Sequence, residues 1–135
     1  MGKYQDVQKD IYSIFGSNLW KNNNIKTVPM NMTPDDNITE FIRISIIPSG
    51  RGENLKSISG IVIVDIFVES QLGPSRVNYI ADLLDDFLLG KSIKIQNNKT
   101  TQFKHSSLYP KGIDIVNSSL YRASYNIDFN FTESL

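Results

Sequence analysis

The chain contains no cysteine and a single histidine, His105. The first absence excludes a disulfide framework and a thiolate zinc site, and it suits a reducing compartment. The second leaves His105 without the companions that chemistry needs. Metal sites ordinarily take two or three such ligands, and no nucleophile-elbow motif supplies a serine for a Ser–His–acid triad. An excess of one charge is missing too. The 14 basic and 14 acidic residues balance, so no whole-molecule field draws the chain to nucleic acid or an anionic membrane. The longest apolar run, Ile61 to Val68, is broken by Asp65 and is too short to cross a bilayer. The N-terminal MGKYQDVQKD carries early acids and no apolar stretch, unlike a secretory signal. These absences predict a soluble domain made inside the cell.

What is present is enough apolar sequence for a core. A chain of 135 residues is expected to form one domain, 1–135, and to hide roughly two thirds of its unfolded surface. Tyr4, Val7, Ile11, Ile14 and Phe15 recur at helical spacing, with Gln5, Asp6, Gln8, Lys9 and Asp10 on the other side and Gly16 as a stop. Leu19 and Trp20 are expected to pack back on the same core. Lys21–Lys26 reads as a polar loop, Thr27–Met32 as extended and Thr33–Asn37 as a turn. Glu40–Pro48 and Ile58–Glu69 read as strands of a hairpin with a long polar tip, Ser49–Ser57. After Gln71-Leu72-Gly73-Pro74-Ser75, the residues Val77, Ile80, Ala81, Leu84, Phe87 and Leu88 form one helical stripe, and the helix ends at Gly90. Ser92–Ile95 and Thr100–Lys104 predict short strands around a turn at Asn97-Asn98. Ser106–Ser119 reads as irregular, broken by Pro110 and Gly112. From Tyr121 to Phe131 apolar and polar residues alternate, the pattern of a strand buried on one side. The order is α–β–β–α–β–β–β. The expected fold is an α+β two-layer sandwich, a mostly antiparallel sheet with two helices packed on one face.

No segment declares a reaction. Asp82, Asp85 and Asp86 stand close on one helix, but no Ca²⁺-loop pattern surrounds them, so a solvated face is expected rather than a metal site. Ser49-Gly50-Arg51-Gly52 offers backbone N–H groups and a guanidinium to a phosphate. A strand follows it where a phosphate loop needs a helix. Tyr109, Tyr121 and Tyr125 with Lys104, Lys111 and Arg122 suggest stacking on single-stranded nucleic acid. Tyr121 and Tyr125 lie on the apolar face of their strand, however, and core packing accounts for them. No cofactor, metal or catalytic group is expected, and no specific nucleic-acid binding. A small-molecule-binding or hydrolytic enzyme with His105 as its base is the alternative from another class.

The order of elements and several short stretches resemble the tail terminator, or tail completion, proteins of long-tailed bacteriophages (the gpU-like group). The resemblance spans nearly the whole chain. It rests on the N-terminal helix followed by Val28-Pro29-Met30-Asn31, on the strand Phe41–Pro48, and on Gly60–Phe67. A Gly-Pro turn into Val77–Leu84 and the closing strand through Ile127-Asp128-Phe129-Asn130-Phe131 complete it. It implies a structural virion protein, not an enzyme, that forms a hexameric ring on the last ring of the tail tube. Such a ring stops tube growth and presents a surface to the head connector, with DNA passing through its lumen. A neck or head-completion subunit is the alternative within virion proteins. The expected subunit and partner contacts are Arg43, Arg51, Glu53, Lys56, Lys104, His105, Lys111 and Arg122, carried by the loop before the second strand, the Lys104–Asn117 segment and the strands beside them.

Overall fold

The alternation in Ile58–Glu69 demands a sheet covered on one face, and this requirement organises the rest of the chain. The computed structural model describes residues 2–30, 32, 34–35, 37–51, 55–96 and 99–133, with residues 51 and 94–96 described by their backbone alone. The elements are α1 (Lys3–Phe15), α2 (Asn18–Lys21), β1 (Lys26–Pro29), β2 (Phe41–Arg51) and β3 (Ile58–Glu69), followed by α3 (Gly73–Leu88), β4 (Ser92–Gln96), β5 (Lys99–Ile113) and β6 (Leu120–Glu133). They build a mixed α+β chain around a six-stranded sheet of order β1-β2-β3-β6-β5-β4. β1 runs parallel to β2, and the other neighbours are antiparallel. A sandwich with two helices describes this only roughly, because a short third helix and a parallel edge strand are added.

On β3, Ile58, Val62, Val64, Ile66 and Val68 point to the covered face. Ile42 and Ile44 of β2 join them, as do Ala123, Tyr125, Ile127, Phe129 and Phe131 of β6. The same cluster takes Val7, Ile11 and Phe15 from α1, Trp20 from α2, and Val77, Ile80, Leu84 and Leu88 from α3. Burying each large aliphatic side chain is worth roughly 1.5–3 kcal/mol, so this seam anchors the fold. Trp20 ties the helices together, edge-on to Phe15 at 5.1 Å and to Phe87 at 5.2 Å. Its indole N–H donates to Thr27 Oγ1 at 3.0 Å, so burial leaves no unpaired donor there. Gly60 is required by closeness. A Cβ there would run into the carbonyl oxygen of Ile47 and come within 2.7 Å of the Phe129 ring, which lies across it.

Three expectations need correction. Asp6 and Asp10 do not face water. Both are buried, Asp10 at 2% exposure, because α1 crosses the start of β5. There Thr101 Oγ1 donates to Asp10 at 2.5 Å and Lys99 Nζ to Asp6 at 3.0 Å. The segment Ser106–Ile113 is not irregular but continues β5, paired with β6. Pro110 is tolerated because β4 pairs with β5 only between Lys99 and Gln102, so the outer edge at Pro110 has no described strand beside it. Bulges between Phe103 and Ser106 and between Pro110 and Gly112 absorb the extra residues. Finally, Ser49, Gly50 and Arg51 are strand, with Gly50 opposite Ser59 and Arg51 opposite Ile58. The tip between β2 and β3 is therefore shorter than expected, and a phosphate cradle has no loop to occupy. The expected turn residues Asn97 and Asn98 lie outside the described residues.

Burial pushes the Asp10 carboxyl above its ordinary 3.8, and the Asp6 charge adds to this, while the Thr101 hydrogen bond opposes it. The folded chain thus holds this proton more tightly than the unfolded one. The stability it contributes is full below the unfolded value and is lost as pH rises through the folded one. Asp10→Asn keeps an acceptor for Thr101 without a buried charge. It is expected to raise the melting temperature at pH 7, with the gain shrinking to nothing below pH 3.8. Thermal melts of both chains across that range check this.

Candidate functional site

The alternation that buries one face of β3 exposes the other. Ile61, Ile63, Asp65 and Phe67 point away from the helices, with Arg43 opposite Asp65 and Phe41 opposite Phe67. On the other flank Ser124 faces Asp65 and Arg122 faces Phe67. Phe41 and Phe67 stack at 4.4 Å with their planes 14° apart. Two guanidinium groups bracket the pair. Arg43 Cζ lies 5.4 Å from the Phe67 ring centre and Arg122 Cζ 5.3 Å from the same centre. Such contacts are each worth about 0.5–1 kcal/mol where water reaches them. Arg43 Nε donates to the Met32 carbonyl at 3.3 Å, and an Arg122 terminal nitrogen donates to Asp65 at 3.1 Å. Arg122 Nε is buried without a hydrogen-bond partner among the described residues. An unmet buried donor of this kind costs about 1–3 kcal/mol.

Two loops wall this floor. Pro34, Asp35 and Ile38 stand on one side, and Asp114, Val116 and Asn117 on the other, enclosing a cleft of about 420 Å³ over Phe41, Phe67 and Leu120. Val28, Phe41, Phe67 and Leu120 make a small apolar cluster of their own, on the opposite face of the sheet from the main core. The second wall is a locked turn. Asn117 N–H donates to Asp114 Oδ2 at 3.1 Å, and Ser119 donates to Asn117 Oδ1 from both N–H and hydroxyl. Backbone bonds from Asp114 to Leu120 and from Leu120 to Asn117 close it. The turn presents Ile115 and Val116 at 98% and 94% exposure.

Chemically the cleft is built to recognise. Its two guanidinium groups stand against three carboxylates, Asp65 bonded to Arg122 and Asp35 and Asp114 in the walls, so it holds no surplus positive charge for a phosphate chain. His105 does not line it, and no nucleophile–base pair is among its walls in the described residues. Among the described residues no three His, Asp or Glu side chains gather to share a metal ion. A second groove, of about 340 Å³, runs between α3 and β5, lined by Asn78, Asp82, Asp85, Ser106, Ser107 and Tyr125. There the Tyr125 hydroxyl donates to Asp85 at 2.6 Å, and burial together with that carboxylate pushes the phenol well above its ordinary range. Asp85 is thereby engaged in holding α3 to the sheet, apart from Asp82 and Asp86. Tyr125 is buried in the core, with Tyr121 packed against it.

The expected contact residues separate into three places. Arg43 and Arg122 meet at the cleft. Lys104, His105 and Lys111 are exposed along the outer edge of β5, where they and the two bulges blunt a bare strand edge against pairing. Lys56 is exposed at the turn before β3, Arg51 ends β2 with its side chain undescribed, and Glu53 lies outside the described residues. Sequence reasoning missed Asp35, and it marked Asp114 and the bare Ile115-Val116 pair only as part of the Lys104–Asn117 contact segment, without singling them out. The run Asp114-Ile115-Val116-Asn117-Ser118-Ser119 carries a turn signature in its Asp, Asn and Ser residues that would have located the second wall.

No family model matches the chain, and no curated protein matches its sequence. A solved structure that carries no functional description superposes with a TM-score of 0.70 over 97% of each chain, at 9% sequence identity. Likeness at that identity shows a shared fold.

The Asp65–Arg122 pair supplies the local test. Asp65→Ala is expected to cost about 1–3 kcal/mol, since it strips a half-buried guanidinium of its carboxylate partner. In a cycle with Arg122→Met, urea melts are expected to return a coupling of about 0.5–1 kcal/mol, at the low end because Arg122 is partly solvated. A coupling of zero would show the pair to be idle.

Proposed function

We propose that this chain is a structural assembly protein that caps a bacteriophage tail tube as a ring, ends its growth and presents the surface that joins the head. One observation carries the reading. The open sheet face bears a preformed cleft with stacked aromatics, fixed charges of both signs and a hydrogen-bonded wall, and no reacting pair is among its described residues. Fixed charges of both signs set the register of a docked surface more than its raw affinity. The resemblance in element order to tail terminator proteins supplies the kind of partner. Its place is then the head-proximal end of the tail in the virion, and the host cytoplasm during assembly. No described helix is long and apolar enough to cross a membrane.

Purified protein mixed with tail tubes of its own phage tests the reading. Electron microscopy is expected to show density at one end of each tube and arrest of further lengthening. Tubes that keep growing with bare ends, or protein found only on isolated head connectors, contradict it.

A further inference from the structure

The Ile115-Val116 tip and a cleft at the far end of the same chain fit one another. The tip is held rigid by the Asp114, Asn117 and Ser119 hydrogen bonds, so its two aliphatic side chains stay bare. A loop meant only to turn the chain would carry polar residues there. At the other end, α1 and β2 leave an apolar cleft of about 250 Å³ among Tyr4, Tyr12, Met30, Ile46, Pro48 and Ile58. A cavity of about 150 Å³ already accepts a benzene-sized group, so this cleft has room for both side chains of the tip. Met30 and Tyr4 stand open at its mouth, 59% and 61% exposed. The charges at the two surfaces are opposite, with Lys3 over the Tyr4 ring at 5.5 Å beside the cleft and Asp114 beside the tip.

No molecule can fill its own cleft with its own tip. The tip joins β6 at Leu120, which pairs with the last residue of β3, Glu69, whereas the cleft includes the first, Ile58. Those ends are about 35–40 Å apart along a 12-residue strand. We propose that the occupant is a second copy of this chain, the Ile115-Val116 tip of one subunit seating in the α1–β2 cleft of the next. Two different surfaces then meet at every contact, which generates a ring when the rotation closes. The inference rests on the ring reading and names the contact that builds the ring.

The absence of native cysteine makes the test clean. Val116→Cys chains are mixed with Met30→Cys chains at high concentration, without tail tubes, and oxidised. Disulfide-linked heterodimer is expected severalfold above that from Val116→Cys with Leu72→Cys, whose exposed site does not line the α1–β2 cleft. Adding Ile115→Asp to the Val116→Cys chain is expected to abolish the excess and leave the melting temperature unchanged. Yields equal to the control, or a dominant Val116→Cys homodimer, overturn the contact. Failure to cap tubes with the crosslink intact would instead count against the proposed function alone.

Discussion

Everything in this molecule depends on β3 being paired along both edges while only one of its faces is buried. Its partners β2 and β6 run antiparallel to it, so the two-residue period of three strands is locked together. A slip of one residue would turn Ile58, Val62, Val64, Ile66 and Val68 out to water and Asp65 inward. The Gly60–Phe129 crossing helps pin the register, because no residue with a Cβ fits at that point. The helices then have a single apolar face to cover, and α1 and α3 share it through Trp20.

The uncovered face follows from the same constraint. Once the apolar set is turned to the helices, Arg43, Asp65, Phe67 and Arg122 are carried to the other side in fixed register. A cleft placed on the middle of a sheet, with its floor on strands rather than on a loop, is held to the precision of the strand pairing. Its walls are loops, and the 114–120 wall is stiffened by its own side chains. The edge of β5 is treated in the opposite way, with two bulges, Pro110, Lys104 and Lys111 discouraging another strand from joining it. The face is thus left open, as the proposed docking role requires, and the edge is guarded against pairing.

Periodicity made the two long helices, the central strands and the closing strand legible, since each carries its own burial pattern within a few residues. The polar half of α1 was misread because period alone cannot tell water from a buried partner. Asp6 and Asp10 are met by Lys99 and Thr101, some ninety residues away in the chain. Pro110 and Gly112 argued for a break, but an outer edge and a bulge neutralise both. Of the candidate site, Arg43 and Arg122 were singled out as separate charges. Their meeting over Phe67 depends on strand order, which no local pattern encodes. Ile115 and Val116 lie in the segment expected to make contacts but do not stand out in it, because apolar residues in a loop look like core until their exposure is known.

The central claim is that the open face and its two walls dock a partner while the body of β3, β6 and α3 behind them acts as a rigid frame. Amide hydrogen exchange on the protein alone and bound to tail tubes tests this most directly. The account predicts new protection in 34–43, in 113–122 and around the α1–β2 cleft, with β3, the part of β6 beyond Arg122 and α3 slow and unchanged in both states. Protection appearing instead along α3 and the groove it forms with β5, with the cleft walls unaffected, would contradict it.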